Sequence, residues 1–527
     1  MAAPAETSRA RIDRAMAAHY ALPGLLGSAL MALGALGVGW LPADSPLLDV
    51  EVVNVLRSTT AGEVLSRVAV FTGVALLLQT WLVLGHDVLE DLERSDHRLV
   101  GILAIWMAPL MLMPPLFSRD AYSYFAQGQL VLEGLNPYEN GVSALPGWFL
   151  TGADPLWAES PTPYGPAFLL LEQGVAALVG THVFTGALMF RLIALTGIAL
   201  MIVYLPRLAH AHGIDPPKAV WLALLNPLVL MHFVAGAHND ALMVGLMVAG
   251  LALAVERHPI LGIILIGLAG AVKPIALVVL PFAGLIWAGT QSTWPQRIWA
   301  WVKASGIVLI VFAGLSLVAG VGLGWVASLS TPGSVRTWLS PPTALGMLVG
   351  GVLDRTGLGT VDGAVGFFRG LAMLIGAIIV LYLVLRPQGR SPVRGAALVL
   401  LTIVVLGPVV QPWYLLWALP LLAATGLTGT QLRAVMILST VLVLHGMTEA
   451  NATADTFVDF ARDGLASVFA LAMVTIVLIS SPGERRLILG EPVDRGMRPR
   501  TSAARTRAGS LVIQPAGSAP SASAATS

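Results

Sequence analysis

Residues 259–289 read PILGIILIGLAGAVKPIALVVLPFAGLIWAG, an apolar run whose single charge is Lys273. A helix that spans a bilayer needs about 20 mainly apolar residues, with a range of about 17–25, so this run is too long for one span. Proline breaks a helix near the residue that precedes it, and Lys273-Pro274 lies near the middle. We therefore predict two short helices that meet at a turn. Residues 394–426 have the same form around Gln411-Pro412.

Windows of the same length along the rest of the chain predict ten further spans. These are residues 22–41, 66–86, 98–117, 186–206, 218–236, 239–256, 303–325, 364–386, 433–448 and 464–481. With two helices from each broken run, we expect an all-α polytopic membrane protein with about 14 transmembrane helices.

The composition agrees with a membrane protein and excludes several other classes. Of 527 residues, 56% are hydrophobic and only 11% are charged, against about 25% charged in a soluble domain. The net charge of +1 provides no basic surface for nucleic acid. The absence of cysteine from the sequence excludes disulfides, thiolate nucleophiles and cysteine-bound metals.

The arginines predict how the helices are oriented, because basic residues concentrate in cytoplasmic loops. Arginines precede the first span, in residues 1–20, and follow the last, in residues 482–527, so we expect a cytoplasmic N-terminal segment and a disordered basic cytoplasmic tail. If the apolar residues 165–181 crossed the membrane, the arginine-rich segments that follow would face outward. We therefore expect a juxtamembrane helix there. This gives a transmembrane domain at 21–481 with an external loop and juxtamembrane helices at 118–183.

Polar residues at membrane depth are costly and usually mark function, and this topology brings them to one face. Five segments contribute: Ser118-Arg119-Asp120, His238-Asn239-Asp240, Lys273, Gln411-Pro412-Trp413-Tyr414, and residues 331–336 ending at Arg336. Each segment alone has an ordinary explanation: a surface ion pair, a solvated turn, a snorkelling lysine or an interfacial aromatic belt. Their convergence predicts a site on the outer face.

The external loop is rich in aromatic and amide side chains. Tyr122, Tyr124, Gln127, Tyr138 and Tyr164 occur in it, and such groups suit sugar rings. The alternative is a loop that packs on its own aromatic residues.

Several motifs in this order resemble those of the actinobacterial polyprenol-phosphate-mannose-dependent α-(1→6)-mannosyltransferases. They are the stretch from Ser118 to Gly128, Asn136-Pro137-Tyr138, Pro163-Tyr164-Gly165-Pro166, Asn226-Pro227-Leu228, His238-Asn239-Asp240, Lys273-Pro274 and Gln411-Pro412-Trp413-Tyr414. The resemblance implies the GT-C glycosyltransferase fold, with an acidic residue early in the first large external loop, here Asp120. The sequence has no Asp-x-Asp at this place, so we expect neither a bound metal nor another cofactor.

The resemblance implies an enzyme that transfers mannose from polyprenyl-phosphate-mannose to a growing lipid-linked α-(1→6)-mannan, the backbone of lipomannan and lipoarabinomannan. The expected location is the cytoplasmic (inner) membrane, with the site on its external, periplasmic face. The topology supports the donor independently, since an outward site cannot reach cytoplasmic nucleotide sugars. The expected partners are the donor, the lipid-linked mannoside acceptor and membrane lipids, with no nucleic acid.

Inverting transfer needs a base for the acceptor hydroxyl and charge neutralisation on the departing phosphate. We assign the base to Asp120, which Arg119 would orient, while His238 and Asp240 would bind hydroxyls or tune Asp120. The remaining assignments are a donor phosphate and lipid group, Lys273, Arg336, Gln411 and Tyr414, and a sugar and acceptor group, Tyr122, Tyr124, Gln127, Tyr138, Tyr164, Asn239 and Trp413.

Two other functions also fit parts of the sequence. Broken helices with polar midpoints are a feature of secondary transporters and lipid flippases, but those proteins commonly place polar residues near the midplane and show internal repeats, which we do not find. A structural membrane scaffold leaves Lys273 unexplained.

Overall fold

The computed structural model describes residues 17–90, 96–289, 291–327, 336–387 and 389–447. The regular elements in these ranges are helices. The predicted span 464–481, the predicted tail 482–527 and residues 331–335 lie outside the described residues.

The α-helices in chain order are α1 (Leu22–Val38), α2 (Glu51–Ser58), α3 (Thr60–Leu89), α4 (Asp96–Met107), α5 (Asp120–Leu132), α6 (Pro166–Val179), α7 (Val183–Ala211), α8 (Pro216–Ala223), α9 (Asp240–Val255), α10 (Pro259–Val272), α11 (Leu280–Ala288), α12 (Trp294–Ala319), α13 (Gly324–Ala327), α14 (Pro341–Arg355), α15 (Val361–Leu385), α16 (Pro392–Leu406), α17 (Leu415–Thr425) and α18 (Gly429–Met447). Short 3₁₀- or π-helical segments join several of them. They include a π-helical segment at Val229–Ala235 and 3₁₀ turns at Pro274–Val279 and Pro412–Tyr414.

The described residues contain 6 helices long and apolar enough to span a membrane, or 7 if one bent pair counts as a single span. This agrees with a multi-pass membrane protein but does not confirm the predicted number of 14. One reason is that apolar windows do not detect breaks. The predicted span 98–117 ends as a helix at Met111, and the predicted span 218–236 divides around Asn226-Pro227 into α8 and the π-helical segment.

Both long apolar runs divide where their prolines predict. In the first, α10 ends at Val272, Lys273 has extended backbone, and a 3₁₀ turn beginning at Pro274 leads into α11. In the second, α16 ends at Leu406, and Pro412 begins the turn that leads into α17. Each break leaves backbone groups without intrahelical hydrogen bonds. It also places a polar side chain, Lys273 or Gln411, between two short helices.

Helix α6 has the length expected of a juxtamembrane helix. Its 14 residues extend about 21 Å at about 1.5 Å per residue, less than the roughly 30 Å of bilayer hydrocarbon. It packs against α5, α7, α10 and α12. Its length supports the expectation that it does not cross, and its place in the outer leaflet stays a prediction.

Helices α7 and α9 pack closely because each contributes a glycine at the contact. A Cβ atom added at Gly245 would lie 2.3 Å from the carbonyl oxygen of Gly197, and one added at Gly197 would lie 2.0 Å from that of Ala241. Small residues allow such backbone approach between membrane helices. This contact fixes the start of α9, where Asp240 lies.

Gly245→Ala should therefore force α7 and α9 apart and destabilise the protein by about 1–3 kcal/mol, the usual cost of overpacking. Thermal unfolding of the purified protein in detergent measures this effect. Gly306→Ala in α12 is the matched control, since no atom lies within 4 Å of its added Cβ and alanine favours helix. Equal unfolding temperatures for the two variants would contradict the packing argument.

Candidate active site

A cavity of about 980 Å³ lies where the broken helices meet the external loop. The predicted site residues in its wall are Arg119, Asp120, Gln127, Tyr164, Lys273, Gln411, Trp413 and Tyr414. Segments far apart in sequence thus reach one cavity, and the membrane face on which it lies stays a prediction.

Asp120 is the first residue of α5, and its carboxylate contacts a buried imidazole. Its Oδ2 lies 3.1 Å from Nδ1 of His238, whose side chain is fully buried. The backbone N–H of Asp120 donates to the hydroxyl of Ser118 at 3.1 Å, and the Tyr124 hydroxyl donates to Oδ2 at 3.4 Å. These contacts hold the carboxylate at the cavity wall in one orientation.

The surroundings of Asp120 favour its ionised form. Burial raises the pKa of the carboxyl group, but the contact with His238, the positive charge of Lys273 and the hydrogen bond with Ser118 outweigh it and leave the pKa below its usual value. Asp120 is therefore a carboxylate at neutral pH, which is the form a general base requires.

Lys273, at the break between α10 and α11, forms an ion pair with Asp240 at the start of α9. The Lys273 ammonium donates to both carboxylate oxygens of Asp240 at 2.9 Å, and the indole N–H of Trp417 donates to Oδ1 at 2.6 Å. The rings of Tyr164, Tyr414 and Trp417 surround the ammonium with centroids 5.8, 5.5 and 5.4 Å away. Lys273 still lines the cavity, so a cation faces the space next to Asp120.

The ring of Trp413 stacks on His238 with centroids 3.9 Å apart. Trp413 also lines the cavity, so one indole both covers the imidazole and presents an aromatic surface. An aromatic surface of this kind suits the C–H face of a sugar, and the role of Trp413 in sugar binding stays a prediction.

Arg119 bonds to the external loop. Its Nε donates to the carbonyl of Gly152 at 2.7 Å, and its guanidinium lies 4.6 Å from the centre of the Trp40 ring. Burial lowers the pKa of Arg119 below its usual value, and the nearby charge of Asp154 opposes this shift only in part. Arg119 thereby holds the loop over the cavity from the residue next to Asp120.

Several predicted sugar-binding residues lie behind the cavity wall. The Tyr122 hydroxyl donates to the carbonyl of Trp40 at 2.7 Å, and the Tyr138 hydroxyl donates to the carbonyl of Tyr164 at 2.9 Å. Both tyrosines are buried and absent from the lining. Asn239 is also buried outside the lining. These positions suit loop packing, the alternative that the sequence left open.

Gln127 and Arg336 differ in their relation to the cavity. Gln127 lines it and accepts a hydrogen bond from the Thr162 hydroxyl at 2.9 Å. The Arg336 side chain is 46% exposed, pairs with Asp362 and is not part of the lining. The structure therefore does not bring Arg336 to the predicted phosphate site.

Sequence reasoning did not assign several residues that line the cavity, among them Arg369, Met373 and Trp417. Trp417 follows Tyr414 by three residues, the spacing that places two side chains on one helical face. Arg369 lies inside an apolar helix that qualifies as a membrane span, and a charge at such a place indicates function. Both signals were available in the sequence.

Within the described ranges, no group of three or more His, Asp or Glu side chains is arranged to hold a metal ion. The charges at the cavity are those of Asp120, Asp154, Arg119, Lys273 and Arg369.

Comparison with known proteins identifies the family. Residues 21–289 match the family model described as α-(1→6)-mannopyranosyltransferase, N-terminal domain, and residues 342–479 match the MptB C-terminal domain. α-(1→6)-Mannopyranosyltransferase A of Mycobacterium tuberculosis is 39% identical, with 80% of this chain and 85% of the relative covered. A probable α-(1→6)-mannopyranosyltransferase of Mycolicibacterium smegmatis is 35% identical, with 88% of each covered.

A more distant relative is α-(1→6)-mannopyranosyltransferase B of Corynebacterium glutamicum, 28% identical with 76% of this chain and 72% of the relative covered. No solved structure matches the chain. The two domain matches and the first two relatives extend over most of the sequence, and the resemblance seen in its motifs is confirmed. The chain belongs to the α-(1→6)-mannopyranosyltransferase family.

Proposed function

We propose that this protein transfers mannose from polyprenyl-phosphate-mannose to a lipid-linked α-(1→6)-mannan on the external face of the cytoplasmic membrane. The relatives are named as α-(1→6)-mannopyranosyltransferases, which supports the sugar and the linkage. The observation that carries the proposal is Asp120, an ionised carboxylate at the wall of a cavity that also presents cations and aromatic rings.

A lipid-linked donor is supported by the apolar part of the cavity. Ile275, Val278, Met373 and Ile403 line it, and Met373 is 63% exposed on α15, a helix apolar enough to span the membrane. The cavity thus reaches the outer surface of a membrane helix. A donor with a charged head and a prenyl chain can place its head near Lys273 and its chain against hydrocarbon.

The reaction we propose is a single displacement. Asp120 accepts the proton of the acceptor hydroxyl while the oxygen of that hydroxyl bonds to C1 of mannose. The bond from C1 to the phosphate oxygen breaks at the same time, and its electrons leave with polyprenyl phosphate. Asp120 lines the cavity, whereas Asp240 is bonded to Lys273 and Trp417 and lies outside the lining, which supports Asp120 rather than Asp240 as the base. A displacement with one base inverts C1 and converts a β-linked donor into an α-linked product.

We propose that Lys273 and Arg369 bind the donor phosphate. The Arg369 guanidinium donates to the Thr343 hydroxyl at 2.9 Å and to the carbonyl of Pro408 at 3.1 Å, which fixes it at the cavity wall near Met373 on the same helix. Gln411 and Tyr414 line the same cavity and supply further hydrogen-bond donors. Arg336 remains a prediction, with a position outside the lining.

Asp120→Asn should lower kcat by about 10²–10⁴-fold, the usual contribution of a general base, while the KM for the donor stays near its normal value. The measurement is transfer of labelled mannose from polyprenyl-phosphate-mannose to a mannoside acceptor by the reconstituted protein. Asp354→Asn, at an exposed residue of α14, is the control. Substantial turnover by Asp120→Asn, or lipid translocation without sugar transfer by the normal protein, would contradict the proposal.

The pH dependence of the reaction should report the contact between Asp120 and His238. Because the pKa of Asp120 is lowered, the base is ionised down to acid pH, and kcat/KM should fall only below the usual carboxyl range. His238→Gln removes a lowering contact while burial still raises the pKa, so the acid limb should move to higher pH. An unchanged acid limb in His238→Gln would refute this role of His238.

Arg369→Ala, and Lys273→Ala made together with Asp240→Asn so that no unpaired charge is left buried, should each raise the KM for the donor about 10- to 150-fold, since a hydrogen bond to a charged group contributes about 1.5–3 kcal/mol. Steady-state kinetics with varied donor measure this effect. Lys303→Ala is the control, because Lys303 packs on the Trp287 ring 3.9 Å away and is not part of the lining. If both variants keep a normal donor KM, the phosphate lies elsewhere.

A further inference from the structure

Arg191 is a fully buried arginine of α7 that lies outside the cavity lining. Its guanidinium donates to four backbone carbonyls: Nη1 to Met111 at 2.7 Å and to Met113 at 3.0 Å, Nε to Val234 at 2.8 Å, and Nη2 to Ala235 at 3.1 Å. One side chain therefore binds two chain segments that are more than a hundred residues apart in sequence.

Each of these two segments is followed in sequence by one of the two residues in the Asp120–His238 contact. The segment at Met111 and Met113 continues to Asp120, and the segment at Val234 and Ala235 continues to His238. The backbone N–H of Leu116 also donates to the carbonyl of Ala235 at 3.3 Å, so the segments touch each other next to the guanidinium.

Each segment contains a residue with a strained backbone shortly before Asp120 or His238. Phe117 has φ 65° and Ala237 has φ 54°, in the left-handed region that non-glycine residues rarely adopt. Such strain persists only where the surrounding structure enforces it. The hydrogen bonds of Arg191 are made in the same two segments, two to six residues before these positions.

We propose that Arg191 is a positioning residue that holds these two backbone segments in one arrangement and so sets the contact between Asp120 and His238. The planar fork of an arginine can reach four carbonyls, whereas the ammonium of a lysine is a point charge with three donors. Arg191→Lys therefore keeps the charge and loses the geometry. The kinetic test rests on the proposed function, and it is interpreted only after the normal protein has been shown to transfer mannose.

Arg191→Lys should lower kcat about 10- to 100-fold, the scale of a misplacement of about 1 Å, with the donor KM within about twofold of normal. The acid limb of the pH–rate profile should also move to higher pH as Asp120 loses contact with His238. The other groups that act on Asp120 are Lys273 and Ser118, with Tyr124 hydrogen-bonded to it, and this variant leaves all three in place. Arg207→Lys is the matched control, since Arg207 is an exposed arginine of the same helix paired with Glu256.

A second pair of variants tests the proposal with Arg191 in place, so it applies even if Arg191→Lys does not fold. Glycine adopts the backbone angle of residue 237 without strain, and Ala237→Gly should keep kcat within about twofold. Ala237→Val places a β-branched residue there and should reproduce the lower kcat and the shifted acid limb. The proposal is overturned if either Arg191→Lys or Ala237→Val is folded with a normal kcat, or loses activity with the acid limb unchanged.

Discussion

Hydrocarbon cannot satisfy a free backbone N–H or C=O group, so each break in a membrane helix must be satisfied from inside the protein. The breaks around Met111–Phe117 and Val234–Ala237 meet at the buried guanidinium of Arg191. At the break after α16, Ser340 donates to the carbonyl of Gly407 at 2.8 Å, and Thr343 donates to that of Pro408 at 2.7 Å. Satisfying the breaks places polar groups inside the apolar bundle, and the candidate site lies where they meet.

The same constraint gives the site its electrostatic character. Asp240 is only 1% exposed, so its carboxylate, the acidic partner of the ion pair with Lys273, is almost fully removed from water. Removing one partner of such a pair is strongly destabilising, because it leaves the other charge buried and uncompensated. The pair joins the start of α9 to the break at Lys273. The aromatic rings around the ammonium come from the loop before α6, the break before α17 and α17 itself. Lys273 is therefore both part of a structural cross-link and the cation that we propose binds the donor phosphate.

Local signals predicted the breaks better than the number of spans. Lys273-Pro274 and Gln411-Pro412 each break an apolar run, and proline acts locally, so both turns could be predicted. The windows failed at 218–236, where hydropathy stays high although Asn226-Pro227 interrupts the helix. The contact of Asp120 with His238 depends on backbone turns at Phe117 and Ala237 that no residue type there favours. The intramembrane charges Arg191 and Arg369 were visible in the sequence, but their partners are carbonyls and hydroxyls distant in sequence.

We propose that an ionised carboxylate in this cavity, Asp120, directs one inverting transfer of mannose from a lipid phosphate. The most direct measurement is a reaction of the reconstituted normal protein with polyprenyl-phosphate-mannose of defined β configuration and a short mannoside acceptor, followed by NMR of the product. The expected result is a new α-(1→6) linkage, with one polyprenyl phosphate released for each mannose transferred. A β-linked product, or release of polyprenyl phosphate without a new glycosidic bond, would contradict it.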